Sequence, residues 1–195
     1  MKPILIFATH NKNKVIEIAA LVQDLYQLKS LADFGLHEEI PENENTLEGN
    51  ALAKARYVKS KTGFDCFADD TGLLVDALNG DPGVYSARYA GPENDASNNM
   101  DKLMMTLGSN SNRNAHFKTV VALVQGTRET LFEGIVHGRI ATQRQGEKGF
   151  GYDPIFIPQG FDRSFAEMSL EEKGAISHRG KAVKKLVDYL SSSHD

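Results

Sequence analysis

A strand that leads directly into a turn and a helix opens the chain, and this unit constrains the fold most. Residues 4–8, "ILIFA", predict a buried β-strand. Apolar residues then recur at the i, i+3, i+4, i+7 spacing of an amphipathic helix, at Val15, Ile18, Ala19 and Val22. Strand, tight turn and helix in this order are typical of nucleotide-binding α/β folds, in which the turn holds phosphate. The turn here, "THNKNK" at 9–14, contains no glycine, although glycine builds the usual phosphate loops.

The residue types of this turn nevertheless suit an anion. Free N–H groups and the positive end of the helix dipole attract negative charge to a helix N-terminus. Asn tolerates left-handed backbone geometry better than most residues, so we expect Asn11 and Asn13 to take the place of glycine. Lys14 lies in the first helical turn, where its charge opposes the dipole unless an anion lies between them. A polar turn with solvated lysines is the alternative interpretation.

The remaining pattern predicts a mixed central sheet flanked by helices, which is an α/β fold. Further strands are expected at about 26–31, 64–68, 115–125 and 129–140, the last two as a hairpin. Helices are expected from the cap Thr46 to about Lys61, at about 95–107, and over the closing residues with Ser177 as a cap. Residues 79–92 are rich in glycine and proline and predict a long loop, which is more often functional than idle.

Composition excludes several classes of protein. Of the 195 residues, 25% are charged and the net charge is −4, so we expect no broad basic surface for nucleic acid. The single cysteine, Cys66, excludes an internal disulfide and lies in an apolar run that predicts a buried thiol. No apolar span is long enough to cross a membrane, and the N-terminal run is too short for a signal peptide. We therefore expect a cytoplasmic protein with no membrane partner.

Two adjacent carboxylates, Asp69 and Asp70, follow the strand expected at 64–68. Open α/β sheets bind their ligands at this end of the strands. Adjacent carboxylates repel each other unless a cation intervenes, and Mg²⁺ accepts one or two carboxylates together with phosphate oxygens. The pattern favours a magnesium site. A turn in which Asp69 caps backbone groups is the alternative.

Cations and carboxylates also flank the helix that Thr46 caps. Asn50 and Lys54 are four residues apart and share one face of this helix, while Glu42 precedes it. A solvated helix start explains these residues equally well. Nearer the C-terminus, Lys173, His178 and Arg179 form a basic patch, for which ordinary surface residues are the alternative.

An aromatic turn at 148–156, "KGFGYDPIF", completes the set of candidate sites. Glycines beside Phe150 and Tyr152 let a flat ligand approach the backbone, unless the turn merely fills the core. Taken together, the lysines supply cations for a polyphosphate, and the carboxylates tolerate that polyphosphate only through a divalent cation. A nucleoside triphosphate with Mg²⁺ satisfies all of these features at once.

These motifs also carry a resemblance to a known family. In order, "THNKNK", "TLEGNALAKA", "ADDTGLLVDALNGDPGVYSARYAG", "FGYDPIF" and "SHRGKA" resemble the inosine triphosphate pyrophosphatases, also called Ham1-like or non-canonical purine NTP pyrophosphatases. The resemblance covers about residues 4–190 and is strongest to the bacterial dITP/XTP pyrophosphatases. One departure is Gly49, where some relatives carry glutamate, so no metal role is assigned to that position.

The resemblance implies a single domain over residues 1–195, with two lobes, the active-site cleft between them, and a homodimeric assembly. It implies Mg²⁺-dependent cleavage of ITP, dITP and XTP between the α and β phosphates, which releases pyrophosphate. Asp70 would activate water with help from Asp69, and Glu42 and Asp70 would bind the metal. The implied substrate-binding residues are Thr9, His10, Asn11, Lys12, Asn13, Lys14, Lys54, Thr71, Phe150, Gly151, Tyr152, Asp153, Lys173, His178 and Arg179.

Two other functions are alternatives to this interpretation. A Maf-type pyrophosphatase acting on modified pyrimidine or methylated nucleotides would lack the full "SARY" and "FGYDP" set. A nucleotide-sensing module without catalysis would gain little from two carboxylates beside phosphates.

Overall fold

The computed structural model describes residues 2–11, 14–15, 18–19, 22–38 and 40–192. Its strands are β1 (Ile4–Phe7), β2 (Gln27–Ser30), β3 (Cys66–Val75), β4 (Pro82–Gly83), β5 (Asn114–Gln125), β6 (Arg128–Ile140) and β7 (Phe156–Pro158). Its helices include α1 (Leu47–Thr62), α2 (Ala96–Leu107), α3 (Leu170–Ile176) and α4 (His178–Ser192). The described residues between β1 and β2 include a helical segment, represented by Lys14, Val15, Ile18, Ala19 and Val22.

The strands form one mixed sheet in the order β2-β1-β3-β5-β6-β7, with β4 added to β3. Strand β1 pairs in parallel with both β2 and β3, whereas β4 and β7 pair antiparallel with their neighbours. Three residues of β1 are fully buried, which explains why the strand is a continuous apolar run rather than an alternating one. The predicted mixed sheet with flanking helices is confirmed.

The chain divides into two compact units, and each has its own core. The first unit comprises residues 1–70, 120–133 and 182–195, and the second comprises 71–119 and 134–181. In the first unit, β1, β3 and α4 pack around Phe7, Phe67 and Leu186. In the second unit, α2 and β7 pack around Leu103, Phe117 and Phe156.

Local signals predicted the helices well. Thr46 caps α1, because its side chain accepts a hydrogen bond from the N–H of Gly49, and Asp95 caps α2 in the same way through Asn98. Ser177 caps α4 by accepting from the N–H of Gly180 at 3.0 Å. Helix α3 was not predicted.

Strand β3 is longer than expected, and this changes the place of the acidic pair. The prediction ended the strand at residue 68, with Asp69 and Asp70 directly at its C-terminal end. The strand instead continues to Val75, because Leu73 and Val75 are fully buried and β4 pairs with its second half. Asp69 and Asp70 therefore lie within the strand, and the alternative of a capped turn is wrong.

The stretch predicted as a long loop, 79–92, is tied down rather than loose. The hydroxyl of Ser86 donates to the carbonyl of Gly83 at 2.6 Å and accepts from the N–H of Leu73 at 2.9 Å. Cys66 is fully buried as expected, and burial raises the pKa of its thiol to about 12. None of the helices among the described residues combines the length and apolar character that crossing a membrane requires.

Candidate active site

The opening turn is organised by its own side chains. The side-chain oxygen of Asn11 accepts a hydrogen bond from the N–H of Lys14 at 3.2 Å, which is the geometry of an N-cap. The hydroxyl of Thr9 accepts from the N–H of Asn11 at 3.2 Å. Among the described residues, positive φ outside glycine occurs only at Asn79 and Asn94, so the expectation that Asn11 replaces a glycine is wrong. Asn11 is used for its capping oxygen.

The same turn also contains His10, Lys12 and Asn13, which were predicted to bind substrate. His10 contacts the carbonyl of Glu38 through Nε2 at 3.1 Å, so Nε2 carries the proton in this contact. Lys12 and Asn13, both predicted to bind substrate, lie outside the described residues.

Lys14 meets a carboxylate of the protein. Its Nζ donates to both oxygens of Asp69 at 2.8 Å, across 55 positions of sequence. The Asp69 side chain is 3% exposed and the Lys14 side chain 20% exposed, so this ion pair is shielded from solvent. The alternative in which Lys14 is simply solvated is wrong.

Lys54 joins two carboxylates. Its Nζ lies 2.6 Å from Oε1 of Glu42 and 3.4 Å from Oδ1 of Asp70. Lys54 is 9% exposed as a residue, and α1 delivers it because the apolar positions of the same face are buried. The structure therefore brings together Glu42, Lys54 and Asp70, which the sequence analysis assigned to one ligand; that they bind it stays a prediction.

Asn50 is the residue of this group that was not assigned a role. It is fully buried, its Nδ2 donates to Oδ2 of Asp70 at 3.1 Å, and its Oδ1 accepts from the N–H of Glu44 at 3.0 Å. The available signal was its position one helical turn before Lys54, on the face that turned out to be buried.

We call Lys14, Glu42, Lys54, Asp69 and Asp70 the carboxylate cluster. In these contacts two ammonium groups face three carboxylates. An excess of carboxylates over ammonium groups in one place attracts a further cation.

The ionisation of the two central residues reflects this imbalance. Burial raises the pKa of Asp70, and the carboxylates of Glu42 and Asp69 raise it further, against the opposing effects of Lys54 and Asn50. Burial alone would lower the pKa of Lys54, but Asp70 and Glu42 outweigh it and the pKa is raised. Lys54 therefore stays charged, and the surroundings of Asp70 disfavour its ionised form.

The cluster fits a divalent cation with hard oxygen ligands. Lys54 contacts both Glu42 and Asp70, so their nearest oxygens lie within about 6 Å, and hard carboxylate oxygens of this kind would suit Mg²⁺. Among the described residues, no group of three or more His, Cys, Asp or Glu is arranged to hold a metal alone. Water or substrate must supply further ligands, as is usual for Mg²⁺.

In the second unit, Asp153 organises the aromatic turn. Its Oδ2 accepts from the N–H of Phe150 at 2.8 Å and from Nζ of Lys173 at 2.5 Å. The Phe150 ring is 56% exposed, with Nζ of Lys173 at 4.9 Å and Cζ of Arg179 at 5.5 Å from its centroid. Phe150, Asp153, Lys173 and Arg179 are named the Phe150 cluster. It offers an open aromatic face next to two cations, which suits a flat polar ring.

Tyr152 does not share this exposure. Its ring is buried, and its hydroxyl donates to the carbonyl of Ser86 at 2.8 Å. The Tyr152 ring thus fills the core, whereas the ring of Phe150 is open.

His178 and Thr71 are held by buried neighbours in the same unit. His178 is 4% exposed and stacks on Phe117 at 4.5 Å between ring centroids, so it is not the surface residue of the alternative interpretation. The Thr71 hydroxyl lies 2.7 Å from that of the fully buried Thr119 and 3.5 Å from Nη2 of Arg179. Thr119 was not predicted as part of this group.

Comparison with known proteins identifies the family of the chain. The model of the Ham1 family matches residues 5–189. The chain belongs to the Ham1 family. The dITP/XTP pyrophosphatase of Flavobacterium psychrophilum is 53% identical over 188 residues, which covers 96% of this chain and 99% of the relative. That of Porphyromonas gingivalis is 49% identical over 187 residues, which covers 95% and 96%.

Solved Ham1 structures share the fold. The Ham1 protein of Staphylococcus aureus gives a TM-score of 0.92 at 36% identity and covers 97% of this chain and 99% of its own. A nucleoside-triphosphatase / dITP/XTP pyrophosphatase from Mycobacterium abscessus gives 0.81 at 42% identity, covering 94% and 98%. The predicted family is confirmed.

The space around Gly49 in this chain leaves no room for a side chain. A Cβ there would lie 2.8 Å from Cβ of Glu44 and 3.0 Å from the capping hydroxyl of Thr46. A larger side chain at Gly49 therefore requires the segment before α1 to move.

Proposed function

We propose that the protein hydrolyses non-canonical purine nucleoside triphosphates, dITP, ITP and XTP, to the monophosphate and pyrophosphate in a Mg²⁺-dependent reaction. Membership of the Ham1 family and relatives named dITP/XTP pyrophosphatase support this activity. The observation that carries it is the carboxylate cluster, in which Lys54 bridges Glu42 and Asp70. A protein that only binds nucleotides gains little from three clustered carboxylates beside phosphates.

Within this proposal, each member of the carboxylate cluster has a separate task. Glu42 and Asp70 would hold Mg²⁺, which when bound neutralises phosphate charge and supports the departure of pyrophosphate. Asp70 accepts the proton of the attacking water, a task for which its raised pKa suits it. Lys14 neutralises Asp69, and this leaves Lys54 as the cation shared by Glu42 and Asp70.

The phosphates and the base are assigned to different residues. We propose that the triphosphate is bound by the turn at 9–14, which includes Lys12 and Asn13. Lys54 and Thr71 bind it as well. Phe150 offers its ring to the purine, and the other proposed base and sugar contacts are Gly151, Tyr152, Asp153, Lys173, His178 and Arg179. The exposure of Phe150 beside two cations supports this assignment.

Selection against adenine follows from hydrogen-bond chemistry. Hypoxanthine and xanthine carry an oxygen at C6, whereas adenine carries an NH₂ group there. A donor such as Arg179 directed at this position would face another donor in dATP, and such a buried mismatch costs about 1–3 kcal/mol.

The assembly and setting of the protein are also proposals. We propose one functional domain over residues 1–195 that acts as a cytoplasmic homodimer, on the strength of the family resemblance. The alternative of a Maf-type enzyme does not agree with the Ham1 match over residues 5–189.

A substrate panel tests the proposed function. Hydrolysis of dITP, XTP, dATP and dGTP is measured with Mg²⁺ and again with excess EDTA. We expect rapid turnover of dITP and XTP, far slower turnover of dATP and dGTP, and none with EDTA. Equal rates for dATP and dITP, or tight dITP binding without turnover, would contradict the proposal.

A further inference from the structure

Asn50 uses both ends of its amide at the carboxylate cluster. Its N–H donates to one oxygen of Asp70, and its oxygen accepts from the backbone N–H of Glu44. A buried amide is costly unless both ends are paired, and here both are. Asn50 thus links the segment before α1 to strand β3.

Lys54 makes a second link of the same kind. It lies one helical turn after Asn50 and contacts Glu42 on one side and Asp70 on the other. Asn50 takes Oδ2 of Asp70 and Lys54 takes Oδ1. Each oxygen of the Asp70 carboxylate therefore has its own donor on α1, the Asn50 amide at 3.1 Å and the Lys54 ammonium at 3.4 Å.

The chemistry of this position requires an amide on a short side chain. A carboxylate at residue 50 would remove the N–H donor and add a fourth negative charge to the cluster. A hydroxyl is too short to reach two partners, and an apolar side chain would leave the Glu44 N–H and Asp70 without their hydrogen bonds.

We infer that Asn50 is a positioning residue, which orients the Asp70 carboxylate and holds the Glu42-bearing segment beside it for catalysis. This inference rests on the proposed function for its kinetic consequence. Residues that orient a metal-binding or catalytic carboxylate cost about 10- to 100-fold in activity when they are replaced.

The chain provides a matched control in Asn99. This asparagine is 2% exposed, lies on α2, and likewise bridges a loop, because it accepts from the N–H of Ala90 and donates to the carbonyl of Ala87. It contacts no carboxylate in these bonds. Asn99→Ala therefore reports the cost of losing a buried bridging amide without any effect on Asp70.

The test compares Asn50→Ala, Asn50→Ser and Asn99→Ala. We expect kcat for dITP, per folded molecule, to fall about 10- to 100-fold in both Asn50 variants, with KM changed less than about threefold. Asn99→Ala keeps kcat within about twofold of the wild type. A wild-type kcat in the Asn50 variants, or an equal loss in Asn99→Ala, or a loss confined to KM, overturns the inference.

A stability cycle separates this inference from the proposed function. The unfolding midpoints of Asn50→Ala, Asp70→Ala and the double variant are measured without nucleotide. Asp70→Ala takes the place of Asp70→Asn in this cycle and removes the acceptor, because an asparagine at position 70 would still offer an oxygen to Asn50. If the amide acts on Asp70, the shift of the double variant differs from the sum of the single shifts, and additive shifts contradict the inference. Failure of the wild type to hydrolyse dITP contradicts the proposed function instead, and the cycle still decides the role of Asn50.

Discussion

Burial of Lys54 and its attraction to two carboxylates shift the pKa of its ammonium group in opposite directions. Burial disfavours the ammonium, yet Glu42 and Asp70 hold it in its charged form and raise its pKa. The lysine therefore stabilises the fold only because two carboxylates share it. Removing the lysine leaves those carboxylates facing each other.

Lys54→Met is expected to lose turnover and to lower the free energy of unfolding by about 3 kcal/mol, because removing one partner leaves a buried charge unpaired. Lys59→Met is the control, since Lys59 lies on the same helix and pairs with the more exposed Asp65 at 2.8 Å. Its loss should cost less than about 1 kcal/mol and leave kcat unchanged. Urea unfolding and dITP kinetics measure both variants, and equal effects of the two would be inconsistent with a special role for Lys54.

Asp70→Asn is expected to abolish turnover while keeping nucleotide binding and thermal stability. Burial and the neighbouring carboxylates raise the pKa of Asp70, so its ionised form costs more free energy in the folded protein than in the unfolded chain. A neutral amide removes that cost, and the variant should melt at or above the wild-type temperature at pH 7.5.

The pH dependence of this difference has a definite sign. A carboxyl whose folded pKa is raised gives its full stability below its unfolded pKa of about 3.9 and loses it as the pH rises through the folded value. The gap in melting temperature between Asp70→Asn and the wild type therefore narrows as the pH falls toward 4. A gap that widens on acidification, or near-wild-type turnover, is the contrary outcome.

At the scale of elements, α1 carries the chemistry of the first unit. It presents Asn50 and Lys54 on one face, and its start is fixed by Thr46, whose side chain accepts from the N–H of Gly49. The segment that carries Glu42 ends at this cap. The cap therefore affects both the stability of the helix and the placement of the carboxylate cluster.

Thr46→Ala removes the cap and is expected to lower the free energy of unfolding by about 1 kcal/mol. Thr46→Ser keeps the oxygen and should stay close to the wild type. Urea unfolding of the two variants provides the measurement. An identical loss in both would show that the methyl group of Thr46, rather than its capping oxygen, stabilises α1.

Elements with strong local signals could be predicted from the sequence, and those set by pairing could not. Capping residues and apolar spacing located α1 and α2 almost to the residue. The end of β3 escaped prediction because β4 and a buried second half prolong it beyond the acidic pair. Helix α3 escaped because its exposed residues carry no apolar stripe.

The residues of the candidate site also divide into those that local sequence signals indicate and those that depend on tertiary contacts. The combination of carboxylates and lysines, rather than any single motif, drew attention to Glu42, Lys54 and Asp70, and the structure brings these side chains together. The partner of Lys14 depends on a contact across 55 positions, which no local pattern contains. Asn50 was noticed for its spacing, but its function depends on burial that only the packed structure shows.

At the scale of the whole molecule, the sheet order and the two cores place the candidate groups in different units. The carboxylate cluster belongs to the first unit, and the Phe150 cluster belongs to the second. We assign phosphate chemistry to the carboxylate cluster and base recognition to the Phe150 cluster. The central claim is that water attacks the α-phosphorus and that pyrophosphate leaves.

Hydrolysis of dITP in ¹⁸O-labelled water, followed by ³¹P NMR, tests this claim most directly. The account predicts two products, dIMP carrying the ¹⁸O label on its phosphate and unlabelled pyrophosphate, with no orthophosphate formed. Orthophosphate as the first product, or label in the pyrophosphate, would contradict it.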